Sequence, residues 1–290
     1  MRVKKRAIVC FLLPCLLLFV FVYLVPIIIV FFTSLFEYKS GGVFRFIGLE
    51  NYIEAVVYDK RLHKALANTG IWALLQSTIH VGIGTVTAII LSRKRRGWKV
   101  LRTIYMIPNV VSASALGIIF LNVFNAKYGL INSFVSMVTG KDFNKNWFFD
   151  NDSAFITVTW SWLLYAGLIM ILVLAGLSSI PNEITEAAKI DGATKLQIDF
   201  KVKLPMIRTV MGTCLILSST SMLREFELIF LTTNGGPGTI TLNLPLYLYK
   251  TSLIDNNYGY ANMMGVLLIV LGVIVVYCIN KIFRMNDADY

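Results

Sequence analysis

The hydrophobic positions of this sequence fall into six long runs that are separated by shorter polar connections. A bilayer core of about 30 Å needs about 20 apolar residues in helical form, and each run has at least that length. Helices are the expected structure because lipid offers no hydrogen-bond partner to backbone N–H and C=O groups. The pattern therefore predicts an all-α membrane protein, a single transmembrane domain over 1–290. Its six predicted transmembrane helices cover about 8–33, 67–92, 103–124, 153–177, 206–233 and 260–283.

The first run follows a short basic segment, as the apolar core of a signal peptide also does. A signal core is about 7–15 residues long, whereas this run continues from Ala7 to about Phe36. We therefore predict a spanning helix here, and cleavage after the run is the alternative.

Composition and charge support a membrane location and give the expected orientation. The chain is 57% hydrophobic and only 15% charged, with a net charge of +11. Most of its 27 Lys and Arg residues lie in the N-terminal segment, the second and fourth connections and the C-terminal tail. Basic loops stay in the cytoplasm, so both termini are predicted to be cytoplasmic. Nucleic-acid binding is not expected, because it would require a basic stripe on a soluble fold.

The sequence offers no candidate for catalysis, a metal or a cofactor. Its four cysteines, Cys10, Cys15, Cys214 and Cys278, lie in apolar runs without a CxxC pair. His63 and His80 lie far apart with no carboxylate at metal-ligand spacing. The phosphate-binding pattern G-x-x-x-x-G-K-[ST] is absent, so ATP binding through a P-loop is not expected.

The fourth connection, 179–205, is the most informative segment. Pro181 is suited to open a helix, which we predict from Asn182 to Ile190, with acidic residues early and a lysine late as the helix dipole favours. Gly192 follows where a glycine typically ends a helix. A second short helix is predicted over about 194–203. Two short helices joined at a glycine can form a rigid docking element, and an ordinary helical loop is the alternative.

This connection resembles the EAA loop of binding-protein-dependent ABC importer permeases, which have the type I importer fold. The resemblance implies that the first short helix is a coupling helix that sits in a groove of a separate ATPase subunit. Glu186 matches the motif glutamate at the ATPase contact, and Gly192 matches the motif glycine at the bend. The coupling residues that the resemblance implies are Glu186, Ala187, Ala188, Asp191, Gly192 and Ala193.

Further motifs are similar to those of the carbohydrate branch of this family, in its shorter six-span form. They occur in the expected order at 47–52, 65–69, 102–108, 128–132 and 233–238. The resemblance implies a non-catalytic permease subunit in the prokaryotic cell membrane that imports a sugar or oligosaccharide. It also implies three kinds of partner besides membrane lipid: a second related permease, usually forming a heterodimer, ATP-binding subunits, and an extracytoplasmic solute-binding protein.

Six residues are candidates for substrate contact, because they match pocket positions of the maltose permease when counted along the resembling spans. They are Ser221, Arg224, Glu225, Trp160, Leu163 and Leu164. A charge inside a membrane costs about 2.5–3.5 kcal/mol and is a functional candidate by default. The alternatives are that Arg224 is neutralised by Glu227 near the outer interface and that Trp160 only packs. An acidic sugar or another polar solute is the alternative substrate.

A self-sufficient secondary carrier is the competing class of function. Such a carrier is expected to show an inverted internal repeat with paired broken helices. The sequence shows no internal repeat, so the importer subunit is the prediction.

Overall fold

A computed structural model describes the backbone of residues 5–285 and the side chains of residues 11–285. The side chains of the basic N-terminal segment therefore lie outside the described residues, as does the side chain of Cys10. The chain divides into two compact units, 1–63 with 247–270 and 64–246 with 271–290. The expectation of one permease domain stays a prediction, and each unit is described by itself.

Most of the first unit is helical, and it also contains a short β-hairpin. Val20–Leu24 forms a π-helical turn that joins the first two helices. The elements are α1 (Lys5–Phe19), α2 (Val25–Thr33), β1 (Phe36–Lys39), β2 (Val43–Phe46) and α3 (Glu50–Val57). The described side chains of α1 and α2 are nearly all exposed and apolar, as expected for a helix that lies in lipid.

The β-hairpin lies in the connection between the first two predicted spans, for which no strand was predicted. β1 and β2 pair antiparallel, with Phe36 opposite Phe46. Gly41 and Gly42, with φ of +96° and +89°, make the turn in a backbone conformation that other residues rarely adopt. The Phe36 and Phe44 rings stack with centroids 4.4 Å apart, so aromatic pairing holds the two strands together.

Asp59 is the main polar anchor of the first unit. Its carboxylate accepts hydrogen bonds of 2.7 Å from the hydroxyls of both Tyr247 and Tyr260. It also caps the next helix by accepting from the Leu62 backbone N–H at 3.0 Å. Burial raises the pKa of Asp59, but these hydrogen bonds outweigh it and the pKa lies below its usual value.

The second unit contains most of the remaining helices. Gln76–His80 and Ile198–Lys203 are π-helical turns between them, and a further π-helical turn, Lys250–Ile254, belongs to the first unit. The helices that follow α3 are α4 (Lys60–Leu75), α5 (Val81–Ser92), α6 (Trp98–Val110), α7 (Ala113–Val123), α8 (Leu130–Thr139), α9 (Ala154–Leu163), α10 (Gly167–Ser178), α11 (Asn182–Ile190), α12 (Lys195–Gln197), α13 (Leu204–Met206), α14 (Arg208–Met222), α15 (Glu227–Thr232), α16 (Leu244–Tyr249) and α17 (Tyr258–Phe283). The first residues of α4, the last of α16 and the first part of α17 belong to the first unit.

The core of the second unit lies between α5 and α10. Ala88, Met170 and Val173 are fully buried there. Gly84 faces Ile169 so closely that a Cβ on the glycine would lie 2.8 Å from the isoleucine Cβ. A small residue is therefore required for these helices to approach, as in other membrane helix pairs.

The described residues contain four helices that are long and apolar enough to cross a bilayer, and up to six spans if two bent pairs each count as one. The four are Phe11–Thr33, Lys60–Ser92, Ala154–Ser178 and Tyr258–Phe283. The third predicted span is bent, because α6 and α7 meet at 101° at Ser112, whose side chain caps α7. The fifth is entered through a 76° bend between α13 and α14.

We expect Asn132→Ala to destabilise the second unit. Asn132 is buried in α8, where its amide donates to the carbonyls of Ala126 and Lys145 at 2.9 Å, and Trp147 Nε1 donates to its Oδ1 at 2.7 Å. Removal would leave these groups unpaired at a cost of about 1–3 kcal/mol. The midpoint of thermal unfolding of the purified protein measures this loss. Asn144→Ala at an exposed position is the control, and equal midpoints for the two variants would refute the assignment.

Candidate functional site

Helix α11 presents a largely exposed surface at the connection that the sequence singles out. It begins at Asn182, directly after Pro181, and ends at Ile190. Its inner side is formed by Ile184 and Ala188, which are half-buried. Glu183, Glu186, Ala187 and Ile190 are exposed, and Ile190 is exposed to 86%. The exposed surface of α11 therefore combines one apolar side chain with small and acidic ones.

A rigid bend ends α11. The Ala193 N–H donates to the Ala188 carbonyl at 3.0 Å, and the Gly192 N–H donates to that of Lys189 at 3.0 Å. This pair of bonds is a Schellman motif, and it requires the left-handed conformation that Gly192 adopts with φ of +81°. Asp191 and Gly192 are exposed at the bend, and Ala193 is half-buried. The bend therefore fixes the direction in which the chain leaves α11.

The second half of the connection is anchored by a buried carboxylate. Thr194 and Gln197 form a capping box that starts α12. Asp199, only 5% exposed in its side chain, then pairs with Arg93 at 2.9 Å and Lys203 at 3.1 Å. Since Arg93 directly follows α5, this carboxylate ties the connection to the helical core. The predicted second short helix is thus observed as α12 followed by a π-helical turn.

The fourth predicted span is interrupted between α9 and α10. The three carbonyls at this break accept hydrogen bonds from side chains of other helices. His80 Nδ1 lies 2.9 Å from Leu163 O, Tyr105 Oη lies 2.7 Å from Leu164 O, and Asn109 Nδ2 lies 3.1 Å from Tyr165 O. Because each acceptor is a carbonyl, each of these side chains donates. The sequence did not predict this break, whose only local signal is Gly167.

Two of the predicted substrate-contacting residues lie beside the break on a pocket of about 590 Å³. Trp160 and Leu164 are 51% and 43% exposed and line the pocket, whereas Leu163 is buried at 8% and does not. The aromatic residues that line it further were not predicted: Phe120, Phe124, Trp147 and Tyr165. Lys145 and Asp152 add polar groups. Aromatic walls with a few polar groups are typical of pockets for small molecules.

The other three predicted residues lie at a second break, between α14 and α15. Arg224 and Glu225 were expected inside a helix, but they lie in the non-helical link, and Ser221 in the last turn of α14 bonds its own helix. Glu225 Oε1 accepts from the Leu228 N–H at 3.2 Å, and Asn243 Nδ2 lies 2.5 Å from Glu225 O. These three residues are not among those that line the aromatic pocket.

The alternative of a neutralising pair between Arg224 and Glu227 is not observed. Glu227 Oε2 instead accepts from Ser114 Oγ at 3.2 Å. Arg224 is exposed, and none of the ion pairs within residues 11–285 involves it. Its role in substrate contact stays a prediction.

We expect Gly167→Ala to disrupt the break between α9 and α10. A Cβ at this position would lie 2.5 Å from Asn109 Nδ2 and 2.6 Å from the Tyr105 carbonyl oxygen. The overpacking should cost about 1–3 kcal/mol and lower the midpoint of thermal unfolding. Gly82→Ala is the matched control, since Gly82 is also helical and has open space at this position. A Gly167→Ala variant as stable as the control would contradict the close approach.

Comparison with known proteins gives a consistent result. Residues 80–284 match the family described as binding-protein-dependent transport system inner membrane component. The multiple sugar-binding transport system permease protein MsmF of Streptococcus mutans is 33% identical over 236 residues, 80% of each chain. The probable ABC transporter permease protein YurN of Bacillus subtilis is 29% identical over 283 residues, 96% of each chain.

A solved structure shows the same fold. One chain of a bacterial alginate ABC transporter, crystallised in complex with alginate pentasaccharide-bound periplasmic protein, matches with a TM-score of 0.84. The match covers 98% of this chain and 96% of that one, at 21% identity. The chain described here therefore belongs to the family of binding-protein-dependent transport system inner membrane components and is a multi-pass ABC transporter permease with the type I importer fold.

Proposed function

We propose that this chain is one of two permease subunits that form the pore of an ATP-driven importer for a sugar or oligosaccharide. The observation that carries the proposal is the exposed helix α11, held at a rigid bend and tied to the core through Asp199. The proposed location is the prokaryotic cytoplasmic membrane, with both termini and α11 on the cytoplasmic side.

In this proposal α11 is the coupling helix, and a separate subunit hydrolyses ATP. The exposed residues Glu183, Glu186, Ala187 and Ile190 form the surface that inserts into the ATPase. Small alanine side chains allow close approach, and Ile190 supplies apolar area that is buried on docking. The absence of a P-loop pattern in the sequence is consistent with ATP binding by the partner.

In this proposal the ion pairs of Asp199 transmit the movement of α11 to the helices of the core. A displacement of α11 acts through the bend at Gly192 on Asp199, which holds Arg93 at the end of α5 and Lys203 before α14. Both contacts are short and charge-assisted, so they resist separation better than neutral hydrogen bonds. We propose that α5 and α14 follow α11 when the ATPase subunits close, and that this movement switches access to the pore.

The proposed substrate class rests on the aromatic pocket and on the relatives. A tryptophan ring such as Trp160 can stack on the apolar face of a sugar ring while polar groups bind hydroxyls. MsmF is named for multiple sugars, and AraP of Bacillus subtilis for arabinooligosaccharides. A second permease and a solute-binding protein are the further proposed partners, in line with the periplasmic protein that accompanies the alginate transporter.

An acidic saccharide is a second candidate substrate because of Arg224. This guanidinium is exposed at a helix break and has no carboxylate partner within residues 11–285. Arginine binds carboxylates through two parallel hydrogen bonds. A structural relative of this fold imports alginate, described as an acidic polysaccharide.

We expect Glu186→Lys to uncouple transport. Reversing the charge in the proposed ATPase contact should lower uptake and the ATP hydrolysis that substrate stimulates by about tenfold or more. Both are measured on the reconstituted complex, together with the amount of ATPase that co-purifies. Asp142→Lys reverses an exposed charge outside the connection and should leave all three unchanged. Normal uptake and ATP hydrolysis in Glu186→Lys would contradict the assignment of α11 as the coupling helix.

We expect Arg224→Ala to impair uptake of the saccharide that the cognate binding protein carries, while the complex still assembles. Loss of a charged hydrogen bond to substrate corresponds to roughly a tenfold effect or more. Lys127→Ala, at another exposed cation of the second unit, is the control. A loss confined to carboxylated saccharides supports the acidic substrate. Unchanged uptake would show that Arg224 only anchors the helix at the membrane interface.

A further inference from the structure

A basic pocket lies between the segment after α5 and the connection that contains α11 and α12. It has a volume of about 330 Å³. Its charged lining comes from both segments: Arg93, Arg95, Lys189, Lys195, Lys203 and Asp199. Five cations against one carboxylate leave a strong excess of positive charge around a single cavity. The proposed coupling role uses the ion pairs that Asp199 forms with Arg93 and Lys203 in this lining, but it uses neither the cavity itself nor the other three cations.

Three of these cations have no counter-ion in the described structure. Arg93 and Lys203 each form an ion pair with Asp199. None of the ion pairs within residues 11–285 involves Arg95, Lys189 or Lys195. Like charges that share one cavity repel each other. An anion bound among them would attract all three cations and so offset this repulsion. Lysine and arginine side chains are the donors that bind phosphate groups, whereas the Thr185 hydroxyl in this lining already donates to the Asn182 carbonyl at 2.8 Å.

The neighbouring residues indicate that this anion belongs to a lipid. Trp98 begins α6 just after the basic segment, and the Arg102 guanidinium lies 5.7 Å from the centre of its ring. Tryptophan and arginine of this kind mark the headgroup level of a membrane. On the first turns of α6, Val100, Leu101 and Ile104 are more than half exposed. A headgroup in the pocket would thus have apolar surface beside it for its acyl chains.

The pocket leaves Glu183, Ala187 and Ile190 of the docking surface of α11 open. Thr185 and Lys189 are one turn apart on a different side of α11 from these three residues, and Glu186, three residues before Lys189, lies between the two sides. A bound anion would contact the coupling helix and the segment after α5 at the same time. It would therefore support the connection that Asp199 makes between them.

We infer that this pocket binds the phosphate of an anionic phospholipid headgroup. Basic pockets at the cytoplasmic ends of transmembrane helices are known to favour such headgroups. The inference rests on the proposed function only for the side of the membrane, because the charge and the shape of the pocket do not depend on transport.

The test measures lipid retained by the full chain purified with its partners. Wild type and variants are reconstituted in discs of phosphatidylglycerol mixed with phosphatidylcholine and extracted into detergent, and bound lipid is counted by native mass spectrometry. The pocket variant carries Arg95→Gln, Lys189→Gln and Lys195→Gln. The control variant removes the same charge from the same two segments outside the pocket, with Arg96→Gln, Lys99→Gln and Lys201→Gln.

Wild type and the control variant should retain phosphatidylglycerol in preference to phosphatidylcholine. Each cation removed from the pocket should weaken retention by about fivefold, roughly 100-fold for all three. If the triple variant does not assemble, lipid retention by the single variant Lys195→Gln is compared with that of the wild type instead. Equal retention by the wild type and Lys195→Gln, or an equal loss in the control variant, would overturn the inference.

A second arm separates a lipid from a free anion. Inorganic phosphate is added to the wild type in pure phosphatidylcholine discs, and the thermal midpoint is compared with that in phosphatidylglycerol. Stabilisation by the lipid alone supports the inference. Stabilisation by inorganic phosphate without lipid retention would assign the pocket to a free anion instead. Since neither readout uses uptake, failure of this inference remains distinct from failure of the proposed function.

Discussion

The constraint on which this structure depends is that a backbone group inside a membrane must find its hydrogen-bond partner within the protein. Unbroken helices meet it automatically, as in Phe11–Thr33, Lys60–Ser92 and Tyr258–Phe283. The break between α9 and α10 meets it differently, because His80, Tyr105 and Asn109 donate to three successive carbonyls. Non-helical backbone at membrane depth is tolerated only where protein or a water-filled cavity surrounds it. Such satisfied breaks therefore mark the places where a permease can line a pathway.

A second constraint acts at the connection that carries α11. A buried carboxylate is costly unless it is paired, and Asp199 is paired twice. The pairing gives a solvent-exposed helix a fixed position relative to the core, which a docking element requires. The same concentration of cations that satisfies Asp199 leaves Arg95, Lys189 and Lys195 to share one cavity. The proposed coupling role and the inferred lipid site therefore both depend on the charge that is concentrated around Asp199.

Rules that depend on neighbouring residues predicted some elements of the structure, whereas elements that depend on contacts formed by the fold were not predicted. The bounds of α11 and the bend at Gly192 follow from helix capping and from glycine's access to positive φ, so they could be predicted. The hairpin was missed because β1 and β2 have only four residues each, and their aromatic residues meet only once the turn at Gly41 and Gly42 has formed. The breaks were missed because their partners, such as His80 and Asn243, come from distant helices. Trp160 was predicted as a pocket residue, but its aromatic neighbours come from other elements that only the fold brings together.

The central claim is that α11 inserts into an ATPase subunit, and cross-linking at its most exposed residue tests this most directly. Ile190→Cys, in a chain whose native cysteines Cys10, Cys15, Cys214 and Cys278 are replaced, places one thiol at the proposed contact. A short bifunctional reagent is applied to native membranes, and the linked proteins are identified by mass spectrometry. The account predicts a product between this chain and an ATP-binding subunit. A chain that still transports its solute but yields no such product, and purifies without an ATPase, would contradict it.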